Sequence, residues 1–451
     1  MLPNLQAIYQ ACNPSQVLDL HRDRDRNYYI DLSDIRGGDP IGDIEAAISL
    51  FSPQIPTCHL LSGQVGSGKS VELLRMQALL QQRQFQTVYV KASQLLDMND
   101  VDVVDLILAI ACELSRMMAR WHVEANSPTL TAILDRAKTA MLPSDRQIST
   151  SLPIVSRSSL HRQLAECVER MREYPLQRIQ LRQFLDAQLP AITTAISHDL
   201  VATSLKYLRA QGSEGIVILV DNLDRLTNTP KAWGRIQAEY LFVDRGEWLQ
   251  KFGCHTIYTI PIQLLFSKEI GSLQARFDTD PVIVPLIPLY HRNRTINLNS
   301  LEYLQQIVLS RIFPDCSPSQ RKHRCLAVCD EVALNALCLA SGGHLRNLLR
   351  LLHRWIEKDR RLPLSHAGLQ ATIAERQEQI SLSLSPEDHA ILKQIQAKPQ
   401  TRIQEIPLDF VRNGLILEYR DPQGSWFVIN PIVCESCNPL RIPNQSRGAA
   451  G

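Results

Sequence analysis

The sequence predicts an α/β protein, in which a doubly wound parallel sheet is followed by a helical region and then by a small helix-and-hairpin domain. Three observations predict this order. Short apolar runs alternate with amphipathic helical stretches within residues 27–290. Residues 291–380 keep the helical period almost throughout, and residues 381–437 combine two helical stretches with a strand, a turn and a strand. We expect an irregular segment at 1–26 and a flexible tail at 438–451.

Composition and charge limit the classes of function open to this chain. Its 451 residues exceed one compact core, so two or three domains are expected. The net charge of +2, from 48 basic and 46 acidic residues, argues against a protein whose surface is dedicated to binding nucleic acid or a membrane.

The absence of a basic-then-apolar leader and of an apolar run of about 18 residues predicts a cytoplasmic protein without membrane contact. The 11 cysteines indicate reduced thiols, and Cys434-x-x-Cys437 is favoured as a chance pair over a metal or redox site.

Two strands are predicted at the start of the sheet domain. Residues 27–32 are aromatic and β-branched and look like a short strand, followed by a Gly-Gly-Asp-Pro turn. Residues 57–61 form a short apolar run, as a buried parallel strand requires. Residues 28–42 lie before the glycine-rich loop that is described next. In many nucleotide-binding folds a segment just before such a loop contacts the base, but an edge strand and turn is the favoured interpretation here.

A glycine-rich loop follows the strand at 57–61. Its residues are Gly63, Gln64, Val65, Gly66, Ser67, Gly68, Lys69 and Ser70. They match G-x-x-x-x-G-K-[ST], a loop whose backbone N–H groups cradle nucleotide phosphates. Lys69 supplies a charge for the β- and γ-phosphates, and the Ser70 hydroxyl is a hard ligand suited to Mg²⁺. The helix predicted over 71–80 adds the positive end of its dipole.

Four further strands complete the predicted sheet, with a helical insert after the first of them. The strands lie at 87–91, 216–221, 255–261 and 280–286, the last at an edge because of its prolines. The insert covers about 101–208 and contains a loop rich in Ser, Pro and Arg at 143–159.

Polar residues end two of these strands, at the edge where parallel sheets bind their ligands. Asp221 ends the central strand and is placed to hold Mg²⁺ through water, with a helix N-cap as the lesser alternative. Asp224 could orient or deprotonate an attacking water, and a cap or salt bridge is nearly as well supported. Thr259 would present its hydroxyl near the γ-phosphate.

The helical region joins a helix end to a new helix through the run SGGHLR at 341–346. Arg346, Arg350 and Arg354 then repeat on one helix face. One of them could reach back to the nucleotide, whereas a solvated face is favoured for Arg350 and Arg354. The strand, turn and strand at 414–430, behind two helices, have the layout of a winged helix.

The phosphate loop, the strand ending VDNLDRL, the strand ending in Thr259 and the run SGGHLR together resemble the AAA+ and STAND branch of P-loop ATPases over residues 27–380. The D-x-x-D-R pattern is similar to that of KAP ATPases. The resemblance implies that ATP and Mg²⁺ are bound, with Asp221 as the metal residue and Asp224 as the catalytic acid. It further implies that Thr259 is sensor 1, that Arg346 is sensor 2 as in origin-recognition-type AAA+ proteins, and that the chain forms a homo-oligomer on ATP binding.

The chain departs from this pattern in three ways. Asn222 stands where ordinary AAA+ enzymes carry Glu, and an amide cannot act as a base, so hydrolysis depends on Asp224 or is slow. An arginine finger is not assignable, because Arg245 and Arg276 qualify by position only and a surface role is favoured for each. The membrane spans usual in KAP proteins are not visible.

Three functions are consistent with these observations. The leading hypothesis is an ATP-driven conformational switch, with a protein effector as a candidate partner and a place in bacterial signalling or conflict systems. A DNA-binding ATPase, such as a replication initiator or transposition helper, is favoured by the winged helix but not by charge, since residues 386–451 hold seven basic and seven acidic residues. A scaffold that binds ATP and barely hydrolyses it is favoured by Asn222.

Overall fold

The structure, a computed structural model, describes three stretches of the chain: residues 4–140, 159–398 and 402–433. Three sequence predictions fall outside these stretches: all but the last residue of the loop at 143–159, the pair Cys434-x-x-Cys437, and the tail at 438–451. Within the stretches described, no helix is both long and apolar enough to cross a membrane.

A five-stranded sheet confirms the predicted α/β fold class. Its strands are β1 (Cys58–Ser62), β2 (Phe85–Lys91), β3 (Gly215–Asp221), β4 (His255–Thr259) and β5 (Val282–Ile283). They lie in the order β2-β3-β4-β1-β5, and the pairs formed by β1 to β4 are parallel. Strand β4 therefore lies between β1 and β3, and the three strands end at the same edge. Every residue of β3 is buried, as expected for a central strand.

Helices make up most of the remaining chain. They are α1 (Leu5–Ala11), α2 (Asp23–Tyr28), α3 (Ser33–Arg36), α4 (Pro40–Ala46), α5 (Lys69–Gln82), α6 (Ala92–Leu95), α7 (Val103–Arg120), α8 (Pro128–Ala140), α9 (Leu160–Glu173), α10 (Pro175–Asp186), α11 (Leu189–Ala195), α12 (Thr203–Ala210), α13 (Gln237–Glu239), α14 (Gln263–Phe266), α15 (Ile270–Phe277), α16 (Leu298–Ile312), α17 (Pro318–Arg324), α18 (Glu331–Ser341), α19 (Leu345–Asp359), α20 (His366–Ser381), α21 (Pro386–Ala397) and α22 (Leu408–Arg412). Short 3₁₀ and π turns link several of them.

One compact unit comprises Ile41–Ser62 and Arg75–Val282 and contains β1 to β4. Its apolar core includes the strands and almost the whole of α7, whose residues are buried on nearly every side. A capping box between Asp102 and Asp105 starts α7. Arg182 from α10 donates to Asp105, so the buried carboxylate at this helix start meets a charged partner.

A second compact unit comprises the residues up to Pro40, Gly63–Leu74 and the residues from Ile283 onward. Its apolar core is built by α16, α18 and α19, with Trp355 fully buried and its indole N–H donating to Ser365 O at 2.9 Å. The units group residues differently from the predicted domains, because the phosphate loop belongs to the unit that contains the helical region.

The N-terminal residues correct two predictions. The segment at 1–26, expected to be irregular, contains α1 and most of α2, and the strand expected at 27–32 is not formed. Asn4 caps α1, and Asp23 and Asp25 lie in the first turn of α2, where carboxylates are favourable. The aromatic side chain that indicated a strand, Tyr28, packs in a small apolar cluster with Leu18 and Leu20 instead. Tertiary packing here outweighs β propensity.

The predicted hairpin near the end of the chain is formed by β6 (Ile416–Asp421) and β7 (Gly424–Ile429), which pair in antiparallel register. Together with α22 they make up the C-terminal hairpin segment, residues 402–433. The Tyr419 hydroxyl donates to Gly342 O at 2.6 Å, and the Trp426 indole donates to Tyr290 O at 3.3 Å. These bonds tie the hairpin to the helical region of the same unit.

Candidate functional site

The backbone of the phosphate loop requires glycine at two crowded positions. Gly63 has φ +146° and Gly66 has φ +98°, both in the region that favours glycine. A Cβ at Gly63 would overlap Val284 O, and a Cβ at Gly66 would overlap the His344 ring. The motif glycines therefore let neighbouring groups of their own unit approach the loop closely.

The side chains of the loop form a donor set suited to phosphate. Lys69 is 4% exposed, and its Nζ donates to Gly63 O at 2.7 Å and Gln64 O at 3.0 Å. Ser67 is fully buried, and its hydroxyl has no hydrogen-bond partner among the described residues. A buried hydroxyl without a partner is unfavourable, and a phosphate oxygen would accept a hydrogen bond from it. Ser70 lies in the first turn of α5. These residues fit a Mg²⁺-bound phosphate chain.

Gln64 connects the loop to the C-terminal hairpin segment. Its Nε2 donates to Val411 O at 2.7 Å and to Ile416 O at 2.8 Å, and its Oε1 accepts from the Glu418 N–H at 2.9 Å. The side chain is 3% exposed. Both amide protons and the carbonyl oxygen are thus used, so the buried amide is well satisfied. A loop residue with no fixed role in the motif holds the backbone of α22 and β6.

His344 connects the loop to the start of α19. Its Nδ1 accepts from the Asn347 N–H at 3.2 Å as the helix N-cap, so the proton of the neutral ring is on Nε2. That Nε2–H donates to Val65 O at 2.8 Å. Burial lowers the pKa of His344 to about 4; the bond to Val65 opposes this shift and the charge of Arg346 adds to it. A proton on Nδ1 would face the Asn347 N–H, which is consistent with a ring that stays neutral.

Arg36 holds the other side of the loop. Its Nη2 donates to Ser67 O at 2.6 Å, and its Nη1 pairs with Glu72 at 2.9 Å. Both side chains of this pair are almost fully buried, at 3% and 7% exposure. Glu72 lies in the first turn of α5, where its charge is favourable. The segment predicted at 28–42 as a base contact or an edge strand therefore supplies an arginine to the phosphate loop.

The predicted metal residue lies in the other unit. Asp221 ends β3 at 2% exposure, and its Oδ2 accepts from the Tyr89 hydroxyl at 2.8 Å. Burial, and then the charge of Asp221, raise the pKa of Tyr89, so this hydroxyl stays a donor. Ser62 ends β1 at the same edge of the sheet, and the phosphate loop begins with the next residue of the chain.

The turn after Asp221 is held by side chains from neighbouring elements. Asn222 has φ +72°, a left-handed conformation that Asn tolerates, and its Oδ1 accepts from the Ser93 hydroxyl at 2.7 Å. The Thr259 hydroxyl accepts from the Leu223 N–H at 3.0 Å and donates to Val220 O at 3.3 Å. Asp224 follows in a 3₁₀ turn and is 7% exposed. Thr259 thus supports the turn that carries Asp224, and its sensor role stays a prediction.

The predicted arginines have distinct surroundings. Arg346 is half-buried, and its backbone N–H donates to Gly66 O at 3.4 Å. Arg354 is exposed and pairs with Glu357 and Glu375, each at 2.9 Å. These contacts place the N-terminus of α19 against the loop, and Arg354 in a surface ion-pair network.

The two arginine-finger candidates lie in the sheet unit and have acidic neighbours. Arg245 pairs with Asp186, and Arg276 pairs with Glu247 at 3.3 Å.

The predicted site residues are divided between the two units. The loop residues and Arg346 belong to one unit, and Asp221, Asp224 and Thr259 belong to the other. Among the described residues, no group of three or more His, Cys, Asp or Glu side chains could hold a metal by itself.

Three contributors to the site were not identified from sequence: the anchoring role of Gln64, the His344 bond to the loop, and Arg36. Only His344 had a usable signal, because it follows a glycine pair and precedes a helix, the place of a cap. Gln64 and Arg36 depend on partners that are distant in sequence or on a local fold that was mispredicted.

Comparisons with known proteins give distant structural neighbours. Neither a protein-family model nor a curated protein matches the chain. Cdc6p from Pyrobaculum aerophilum matches at 12% identity over 96% of both chains, with a TM-score of 0.40. Drosophila ORC bound to DNA matches at 14% identity, over 97% of this chain and 92% of that chain, with a TM-score of 0.38. The Aeropyrum pernix ORC2 protein in its ADPNP–ADP complexes matches at 12% identity, over 96% and 95%, with a TM-score of 0.37. A likeness this weak carries no conclusion about function.

The neutral His344 predicts a pH dependence of stability. The folded pKa of about 4 lies below the usual 6.5, so the folded state binds fewer protons, and stability falls as pH decreases from 6.5 toward 4. At 1.36 kcal/mol per pKa unit, His344 contributes a loss of about 2 kcal/mol between pH 7 and pH 5. In H344N, which keeps a capping oxygen, the loss of unfolding free energy measured by urea denaturation should be smaller by about that amount.

A second variant separates the cap from the bond to the loop. H344Q places an amide N–H near the position of Nε2, so it retains a donor for Val65 O but caps α19 poorly. Both variants remove the titrating ring, so in both the pH dependence should weaken by the share that His344 contributes. An unchanged pH dependence in both would show that His344 does not titrate as described.

Proposed function

We propose that this chain is an ATP-binding switch of the AAA+/STAND type, in which Mg²⁺-ATP at the phosphate loop sets the state of the helical region and the C-terminal hairpin segment. Phosphate binding is supported by the loop itself. Its buried Lys69 ammonium, the unpartnered Ser67 hydroxyl and the N-terminal turn of α5 are all donors to an anion. Ser70 is the proposed Mg²⁺ ligand and Asp221 the proposed holder of a metal-bound water; the ion would neutralise phosphate charge.

The observation that carries the switch is the triple hydrogen bond of Gln64. A ligand that repositions the loop backbone also moves the Gln64 side chain, whose three partners are backbone groups of α22 and β6. His344 adds a second connection, because it bonds Val65 O while capping α19. The loop that would receive the phosphates is therefore bonded directly to the elements that would respond.

Hydrolysis is the slower part of the proposed cycle. Asn222 has no basic group, so Asp224 is the proposed general base, with Thr259 and Arg346 as the proposed sensors of the γ-phosphate. A homo-oligomer formed on ATP binding and a protein effector are the proposed partners. The equal numbers of basic and acidic residues in 386–451 favour an effector over DNA.

Replacing Lys69 tests the binding site. K69A should abolish ATP binding, because the ammonium that faces the β- and γ-phosphates is lost from a buried site. Isothermal titration calorimetry of the full chain with Mg²⁺-ATP measures the effect. The exposed Lys206, changed to Ala, is the matched control and should bind as the wild type does. Unchanged ATP affinity in K69A would remove the loop from the site.

Replacing Asp224 tests the mechanism of hydrolysis. D224N keeps the size of the side chain but not its basicity, so it should bind ATP normally and reduce turnover by at least about 100-fold. Phosphate release under saturating Mg²⁺-ATP is the measurement, and D43N, at an exposed aspartate, is the control. Full activity in D224N would exclude Asp224. Wild-type turnover at background, even with a partner added, would favour the scaffold.

Replacing Gln64 tests the switch. Q64M keeps the length of the side chain but removes its three hydrogen bonds to buried backbone groups. Val411 O keeps its bond from the Gly414 N–H, and each group left without a partner costs about 1–3 kcal/mol. Hydrogen exchange of the C-terminal hairpin segment should become at least about tenfold faster. Q379M, at an exposed glutamine of α20, is the control.

The same measurement with Mg²⁺-ATP tests the coupling itself. ATP should change the exchange of the C-terminal hairpin segment in the wild type and leave it unchanged in Q64M. An equal ATP response in both would show that the signal does not pass through Gln64.

A further inference from the structure

A cavity lies between helices of the unit that contains the phosphate loop, and it shares no lining residue with that loop. Its volume is about 600 Å³, within the range of small-molecule sites. We call it the arginine pocket; its polar lining residues are Arg24, Asn27, Tyr28, Arg311, Asp315 and Arg324. Its apolar lining includes Ile8 and Phe313.

Arg311 is the buried charge of this pocket. It is 7% exposed, and its Nη1 donates to Ala11 O at 2.9 Å. Its guanidinium lies 5.3 Å from the centre of the Tyr28 ring, while its Nε has no partner among the described residues. No carboxylate of the described chain lies within 4.0 Å of it. Burial lowers the pKa of Arg311, and its interactions with Cys12, Tyr28 and Asp25 oppose this shift.

Other buried arginines of the described chain are better satisfied. Arg36 pairs with Glu72, and Arg178 pairs with Asp97, each at 2.9 Å. Arg321 donates hydrogen bonds to three backbone carbonyl oxygens. Arg311 instead has one backbone carbonyl and the Tyr28 ring, so a phosphate would supply the anionic partner that no described carboxylate provides within 4.0 Å.

Two further arginines form the rim of the pocket. The Arg24 Nε donates to the Tyr28 hydroxyl at 2.9 Å, and the Arg324 Nη1 lies 3.3 Å from Cys316 Sγ. Neither has a carboxylate within ion-pair distance in the part of the chain described. The acidic lining residue, Asp315, accepts from Asn27. The lining thus has three positive charges and one negative charge.

We propose that the arginine pocket binds a small soluble molecule that has a phosphate group on an aromatic or aliphatic body. A planar guanidinium group can donate two parallel hydrogen bonds to two oxygens of one phosphate. Arg311 and Arg24 both lie close to the Tyr28 ring, so the two groups are near each other. The apolar wall at Ile8 and Phe313 would be covered by the body of the ligand and not by a bare ion. Such a ligand would bridge α1 and α2 to α16, and so act on the unit that holds the phosphate loop.

Phenyl phosphate is a suitable probe, because it has one phosphate on one aromatic ring. It is titrated by calorimetry into the full chain saturated with Mg²⁺-ATP, so that the phosphate loop is occupied. One molecule should bind per chain, more tightly than inorganic phosphate, and benzyl alcohol should not bind. R311M should weaken binding at least tenfold. The exposed rim variants R24Q and R324Q, which should not perturb the fold, should each weaken it several-fold.

Two controls separate this site from the rest of the protein. R209Q, at an exposed arginine of α12, should bind phenyl phosphate with wild-type affinity. K69A should also bind it, whether or not ATP binding at the loop is confirmed, so the two proposals can fail independently. Absence of binding, binding unaffected by R311M and R24Q, or loss of binding in K69A would each overturn the proposal.

Discussion

The side-chain amide of Gln64 is the interaction on which the arrangement around the phosphate loop depends. Its N–H groups and its oxygen meet three backbone groups of the C-terminal hairpin segment, all of them buried. Because one planar amide makes all three bonds, withdrawal of the side chain would break them together, although Val411 O would keep its bond from the Gly414 N–H. This discreteness is what a two-state element requires. The motif leaves the identity of this residue free, so the anchoring role uses none of the residue types that phosphate binding would require.

Two further polar contacts fix the loop without placing a net charge in its surroundings. His344 is neutral, since Nδ1 is engaged as an acceptor and burial disfavours the imidazolium. Arg36 is charged and pairs with Glu72, and it also donates to Ser67 O. Under the proposed function, a nucleotide phosphate would meet the Lys69 ammonium and a set of oriented dipoles, which favour the binding of an anion.

The sequence predicted the parts of the fold that depend on local pattern. Strands β1 to β4 were found because buried parallel strands are short apolar runs, and the loop because its chemistry tolerates few residue types. The N-terminal helices were missed because Tyr28 and its neighbours have strand propensity, while packing decides their structure. The role of Gln64 was beyond prediction, since its partner Val411 lies 347 residues away. The surroundings of Arg311 were equally unpredictable from sequence, because the folded structure decides whether a carboxylate lies beside it.

The proposed binding and the proposed hydrolysis depend on separate features of this chain. The turn from Asp221 to Asp224 is fixed by Ser93 and by the Thr259 hydroxyl, both bonded to it within the sheet unit. Asn222 occupies a left-handed conformation there and contributes an amide, which neither accepts a proton from water nor repels phosphate. If Asp224 is the general base, activation of the attacking water depends on this carboxylate, because the Asn222 amide cannot share that task. Under the proposed switch, slow turnover prolongs the ATP-bound state, so this turn determines how long the signal lasts. Gln64 then transmits the signal from the loop to the C-terminal hairpin segment.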